Sequence, residues 1–507
     1  MGERENEKSR AAGILLPITS LPSRYGIGCL SAQAYSFVDL LARAGQRYWQ
    51  ILPVGPTGYG DSPYQSFSTF AGNPYLIDLE PLIEAGLLSQ RECDMALGGG
   101  QESTVDYALQ YHVRLPLLRR AYHAFCRTAS SAQRMDFAAF CSEKADWLTD
   151  YAHFMALKDA HGGKPCCEWD RSLLGRERTA MEQSRRMLAD GINFYCYLQY
   201  LFFSQWDALH QYASSRGVKI IGDLPIYVSA DSADVWANPE LFCLDAQLRP
   251  LAVAGCPPDG FSAKGQLWGN PLYRWEEHAA TGYAWWTERL RHCFSLYDVL
   301  RIDHFRGFEA YYSIPYGAPD AREGEWKKGP GATLFRAARQ RIGERAIIAE
   351  DLGYMTEGVR QLLADCAFPG MKVLQFAFDG RDDGSKNDHL PHNFPYNCVA
   401  YTGTHDNQTL GGWLRSISMQ EMRALREYLC DYDTPTARLC KPLIALLMRS
   451  QAQLCIIPLQ DYLSLGDEAR INTPSTLGNN WCWRVRAEML NDTLVRDVAE
   501  MTQRYGR

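Results

Sequence analysis

The chain has no apolar run that approaches the roughly 20 residues of a membrane span. Its start, MGERENEKSRAAG, carries charge where a signal peptide would carry an apolar stretch. Both absences point to a cytoplasmic protein with no membrane partner. No CxxC pair occurs among the 16 cysteines, and the adjacent Cys166–Cys167 lacks metal-ligand spacing, so no metal site is expected. Many of these cysteines lie in apolar stretches, such as Cys196 in INFYCYLQYLFF and Cys455 in QLCIIPL, as reduced and buried thiols do. No GxGxxG or Walker-type glycine loop follows an apolar run, which leaves nothing to cradle a dinucleotide or a nucleoside triphosphate. Positive charge is not in excess either: the net charge is −7 and the pI about 5.9, which argues against a nucleic-acid partner.

What is present is ample apolar and aromatic matter. Of 507 residues 46% are hydrophobic, with 13 Trp and 28 Tyr. Such a set builds a large core, and it also supplies flat surfaces on which sugar rings stack. Eight short apolar runs bounded by turn residues read as strands: Gly13–Ile18, Tyr48–Val54, Lys219–Leu224, Val299–Asp303, Ala346–Glu350, Lys372–Ala377, Cys398–Thr402 and Leu454–Leu459. Helical patterns lie between most of them. After the first, Ser31 can cap a helix in which Phe37, Val38, Leu41 and Ala44 share one face, and Gly45 ends it. Strands alternating with helices predict an α/β protein, a (β/α)8 TIM barrel over residues 13–507. Two excesses of chain are expected as inserted subdomains, a mostly helical one at 82–215 and a loop-rich one with an active-site lid at 229–283. Residues 1–12 are expected to be flexible.

Three acids end strand-like runs: Asp303 in VLRIDHFRG, Glu350 in AIIAEDLG and, a few residues later, Asp406 in VAYTGTHDNQT. In a parallel barrel such positions converge on one rim. Acids meeting in one cleft suit glycosyl chemistry, in which one attacks, one exchanges a proton and one orients the sugar. Arg301 and Asp303 leave a strand on the same face, and the guanidinium is expected to hold Asp303 ionised. A structural ion pair bracing the barrel end would look the same in sequence. The apolar residues before Glu350 are expected to raise its pKa, suiting it to acid/base work. Asp351 points the other way and is expected to pin a loop or cap a helix. His405 and Asp406 could grip sugar hydroxyls, or HDN could form a helix N-cap. Asp223 in KIIGDLPIYV is a fourth strand-end acid. The loops GYGDSPYQSFSTFAGNPYLIDL and PPDGFSAKGQLWGNPLYRW mix aromatics with amides and hydroxyls, a composition that fits sugar binding.

With these residues in view the chain resembles the 4-α-glucanotransferases, also called amylomaltases or disproportionating enzymes, of glycoside hydrolase family 77 in the α-amylase clan. The resemblance runs from about Gly13 to GNNWCWRV and rests on PTGYGDSPYQSFSTFAGNPYLIDL, GDLPIYV, FSAKGQLWGNPLY, RIDHFRG, IIAEDLG and TGTHDNQT. It implies Asp303 as nucleophile, Glu350 as acid/base and Asp406 as transition-state stabiliser. It also implies substrate contacts from Ser62, Tyr64, Asp223, Trp268, Asn270, Arg301, His304, His405 and Asn472, and a second glucan groove at Tyr59. Ala254 to Trp268 corresponds to a lid on the acceptor side, where Gly260 replaces the family's usual aromatic. The implied activity moves α-1,4-glucan segments to the 4-hydroxyl of another glucan or of glucose with retention. Maltooligosaccharides are the expected partners, with amylose or glycogen as larger candidates. No cofactor is expected, because acid catalysis and a side-chain nucleophile suffice. An α-glucan hydrolase is the alternative, and a non-catalytic glucan binder is a second one.

Overall fold

The computed structural model describes residues 10–507 except 59, 99–101, 259–261, 354 and 380–383. Twelve strands are formed among the described residues: β1 (Ala11–Leu15), β2 (Tyr48–Gln50), β3 (Lys219–Pro225), β4 (Ala252–Cys256), β5 (Gln266–Pro271), β6 (Val299–Asp303), β7 (Ala310–Pro315), β8 (Glu325–Lys328), β9 (Ile347–Ala349), β10 (Gly370–Val373), β11 (Cys398–Tyr401) and β12 (Leu454–Pro458). Eight of them pair in the order β10-β11-β12-β1-β2-β3-β6-β9, and every barrel pairing is parallel. The ring closes where Ala349 N donates to Pro369 O at 2.9 Å and Met371 N donates to Asp351 Oδ1 at 2.6 Å. Asp351 therefore pins the β9–β10 seam, and Thr356 rather than Asp351 caps the helix that follows. Gly370 makes room for this contact, since a Cβ there would lie 2.4 Å from Asp351 Oδ2.

The predicted (β/α)8 barrel is thus the fold, and all eight expected strands are its staves. Their limits differ in places. β1 begins at Ala11, because Ala11 and Ala12 pair with Leu454 and Cys455. The expected flexible start at 1–12 lies outside the described residues up to residue 9. β2 stops early: Ile51 N still donates to Ile221 O, but Pro53 has no N–H to offer a ladder. β10 gives way to a 3-10 turn at Leu374–Phe378, so the alternation in VLQFAF does not continue the strand. Ser31 stands at the N-cap of the helix Ala32–Arg43, yet its hydroxyl donates to Gln33 and accepts no backbone N–H. Gly45, just past that helix, takes φ +69°.

Between β2 and β3 the chain is largely helical, ending in the long helix Ala189–Ser215 that leads into β3. The long helix shares one apolar core with the barrel wall, joining Phe194, Phe202 and Trp206 to Trp49 and Ile220, while Leu148, Tyr151, Phe154 and Met181 pack with Trp169 and Trp236 in a separate cluster. Residues 229–283 hold more regular structure than their composition suggests. β4 and β5 come from this stretch and join β7 and β8 in an antiparallel sheet, β5-β4-β7-β8. The glycines and prolines of AVAGC and QLWGNP hide that pairing from a periodicity argument.

Inside the barrel, Leu15, Ile221, Val299, Ile348, Val373, Val399 and Ile456 form an inner apolar column. Side chains alternate along a strand, so residues two further on share the inward face. For Ile221 that residue is Asp223, for Val299 it is Arg301 and then Asp303, and for Ile348 it is Glu350. The polar groups cap the apolar column at the C-terminal rim, where barrel sites are built.

Candidate active site

Register brings the first group together. In the β3–β6 ladder Asp223 lies opposite Arg301 and Pro225 opposite Asp303. Arg301 Nη1 donates to both oxygens of Asp223 at 2.7 Å, and its Nη2 lies 3.0 Å from Asp303 Oδ1. The Arg301 and Asp223 side chains are 3% and 0% exposed, whereas that of Asp303 keeps 28%. One buried carboxylate therefore anchors the guanidinium, which presents its other edge to a carboxylate that reaches solvent. Tyr64 Oη donates to Asp223 Oδ2 at 2.7 Å and completes the anchor.

Glu350 follows β9 directly. Its amide donates to Ile302 O, and its Oε2 and Oε1 accept from His304 N at 2.7 Å and Leu352 N at 2.9 Å. His304 can aim its N–H this way because it adopts a left-handed conformation, φ 50°, strained for a residue with a Cβ and common at functional sites. The His304 ring meets Trp268 edge-on at 4.8 Å, and its buried Nε2 has no hydrogen-bond partner among the described residues.

Asp406 lies beyond the end of β11. Asn472 Nδ2 donates to its Oδ1 at 2.6 Å, and His405 Nε2 is 3.4 Å from the same oxygen. The next helix is capped by Thr409, so HDN is not its N-cap. Tyr64 stacks on His405, with centroids 5.2 Å apart and planes 15° from parallel, and so ties the Asp406 side of the rim to the Asp223 side.

The electrostatics differ from expectation in one respect. Burial pushes the Asp303 carboxyl well above the usual aspartate range; Arg301 opposes this, and Asp223, Glu350 and Asp406 add to it. Arg301 lowers Asp303 as expected, but it does not prevail over desolvation and three neighbouring acids. Burial also raises Glu350, against Arg301 and the two backbone donors. His304 is pushed down to about 3 by burial and by Arg306, and burial lowers His405 against the pull of Asp406. Both imidazoles are neutral near pH 7 and can donate to or accept from a hydroxyl. Among the described residues no group of three His, Cys, Asp or Glu side chains is arranged to hold a metal.

The other expected contacts surround this core. Ser62 Oγ accepts from Tyr64 N at 3.3 Å and shapes the turn that delivers Tyr64. Asn270 donates to Val228 O at 2.8 Å and accepts from Gln65 Nε2 at 3.0 Å, so its amide braces the loops of the cleft. Tyr59 and Gly260 lie outside the described residues. Three supporting residues are not marked by the sequence. Gln65 bridges to Trp268 O and Asn270, Trp481 packs against Tyr64 and His405, and Arg470 holds the loop of Asp406. Gln65 adjoins Tyr64, and Arg470 stands two before Asn472. Their partners are distant in sequence, so nothing local marks them.

A parallel (β/α)8 barrel with acids and one shared arginine at its C-terminal rim belongs to the class of barrel enzymes that act on glycosidic bonds. Similarity to known proteins narrows this class. A family model described as 4-alpha-glucanotransferase, glycoside hydrolase family 77, matches residues 16–490. The 4-alpha-glucanotransferase of Thermus thermophilus is 48% identical over 511 residues, covering 98% of this chain and all of that protein. The chloroplastic/amyloplastic 4-alpha-glucanotransferase of Solanum tuberosum is 39% identical over 513 residues, covering 100% of this chain and 88% of that protein. The solved amylomaltase of Streptococcus agalactiae, in complex with acarbose, superposes with a TM-score of 0.95 at 40% identity, covering 98% of this chain and 99% of that one. The chain belongs to the 4-α-glucanotransferase (amylomaltase) family, glycoside hydrolase family 77.

Proposed function

We propose that the chain moves α-1,4-glucan segments from a donor glucan to the 4-hydroxyl of a second glucan or of glucose by a retaining double displacement. The observation that carries this reading is the shared arginine. Asp303 and Glu350 both have raised affinity for a proton, and Arg301 lowers it at both. Arg301, 3.0 Å from Asp303, is the group that favours charge on Asp303 and the shared proton on Glu350, against the burial that raises Asp303. That is the state the first step requires. Glu350 gives its proton to the glycosidic oxygen as the C1–O bond breaks, and an Asp303 oxygen bonds to C1. In the second step the acceptor hydroxyl loses its proton to Glu350 and displaces Asp303 from C1. Asp406, fixed by Asn472, and neutral His405 hold ring hydroxyls while positive charge develops at C1.

The same reading takes residues 13–507 as one catalytic unit into which 82–215 and 229–283 are inserted. The second insertion supports it by carrying Trp268 and Asn270 on β5. Substrates are maltooligosaccharides and longer α-1,4-glucans, with glucose as an acceptor. The hydrolase alternative is disfavoured by the relatives' shared name. Incubation with maltotriose decides between the two: transfer yields glucose and a ladder of longer glucans with no net gain of reducing ends, and hydrolysis yields that gain. The roles of the acids are tested with Glu350→Gln. It should lose at least ~1000-fold on maltotriose, since Gln cannot donate the proton. It should still accumulate a covalent adduct on Asp303 from a maltosyl fluoride, whose leaving group needs little acid help. An adduct on another residue, or none, would overturn the assignment.

A further inference from the structure

Asp406 raises a problem of placement. Its side chain is 45% exposed and follows the end of β11 in a loop, so neither burial nor a strand fixes it. An acid that must meet developing charge at a set distance needs some other constraint. The loop after β12 supplies one. Asn472 N donates to His405 O at 3.1 Å, and Asn472 Nδ2 donates to Asp406 Oδ1 at 2.6 Å. Arg470 spans both segments: its Nη2 donates to Asp406 O at 2.8 Å and its Nε to Asn472 O at 2.7 Å.

We propose that Arg470 is a positioning residue for the reaction, a clamp that holds the backbone of Asp406 and of Asn472 in the register that sets the Asp406 carboxylate. The inference rests on the proposed role of Asp406. Arg470 touches no reacting atom. It acts on two carbonyls that lie 66 residues apart in sequence, and their separation decides how Asn472 meets Asp406. The planar guanidinium suits this task because its donors point along fixed and divergent directions. A lysine has one rotatable ammonium and cannot hold both carbonyls with the same geometry.

The experiment compares wild type, Arg470→Ala, Arg470→Lys, Asp406→Asn and the Arg470→Ala/Asp406→Asn double variant in maltotriose disproportionation, with thermal unfolding of each. Arg470→Ala should lower kcat and kcat/KM together by about 10–100-fold, the signature of an interaction made in the transition state. Its Tm should stay within a few degrees of wild type. Methylguanidinium at millimolar concentration should restore part of the lost kcat. Arg470→Lys should fall between Ala and wild type. In the Asp406→Asn background the Ala substitution should cost less than twofold, because the group it positions is already disabled. The inference is overturned if Arg470→Ala turns over normally. It is equally overturned if the loss is undiminished in the Asp406→Asn background, or if the loss follows a fall in Tm with no guanidinium rescue. These results leave the function standing. Failure of the wild-type chain to disproportionate maltotriose would instead refute the function.

Discussion

Replacing Arg301 with Gln separates the two tasks of the arginine, anchoring to Asp223 and tuning Asp303. At 3.0 Å, with an effective dielectric constant of about 20, the Arg301–Asp303 attraction is about 5 kcal/mol. Asp303 keeps 28% of its side-chain exposure, so water compensates part of this. A net loss of ~3 kcal/mol of attraction remains, which favours the protonated form of Asp303. Arg301 lowers both Asp303 and Glu350, so its removal raises both. The active form of the pair holds one proton, so activity falls at low pH when the pair gains a second proton and at high pH when it loses the one it has. Both limbs of the pH dependence of kcat/KM should therefore move upward, and activity on the acid side should collapse first. Glucose release from maltotriose across pH 5 to 9, with circular dichroism to verify folding, reads this directly. Asp223 loses a buried partner in the same variant, so a stability cost of ~3–5 kcal/mol is expected as well. A folded Arg301→Gln protein whose acid limb coincides with that of wild type would refute the electrostatic argument. Arg301 would then be a brace for the end of the barrel and no more.

Trp268→Ala removes the edge-on contact with the His304 ring, worth ~0.5–1.5 kcal/mol, and should raise KM for maltotriose several-fold with a smaller change in kcat. An unchanged KM would show that the ring does not order the cleft. Asp351→Ala leaves Met371 N without its acceptor at the barrel seam and should lower stability by ~1–3 kcal/mol, read as a lower urea midpoint. Turnover per folded molecule should hold, and a selective loss of turnover instead would mean that the seam governs the site.

Much of the site was legible because each acid sits at a recognisable point of a strand pattern. Asp303 and Glu350 end short apolar runs, and period-two alternation carries the inward face from Ile221, Val299 and Ile348 to Asp223, Arg301 and Glu350. The antiparallel sheet β5-β4-β7-β8 was not legible. Its strands are short, broken by Gly and Pro, and paired across stretches that belong to different turns of the barrel. The balance of forces on the Asp303 carboxyl is not legible in the sequence, for a related reason. The nearest charge in sequence is Arg301, but Asp223, Glu350 and Asp406 arrive from elsewhere, and burial outweighs the arginine.

Local chemistry by itself determined the parallel barrel, the identity of its acids and the rim on which they stand, because alternation and strand-end position are properties of a few adjacent residues. Tertiary structure alone decided which partners each acid meets. The β3–β6 register sets Asp223 against Arg301, the left-handed turn at His304 turns an amide toward Glu350, and Arg470 joins the loops of Asp406 and Asn472. Hydrogen bonds and ion pairs act over about 3 Å whatever the separation in sequence, so only folding could choose them.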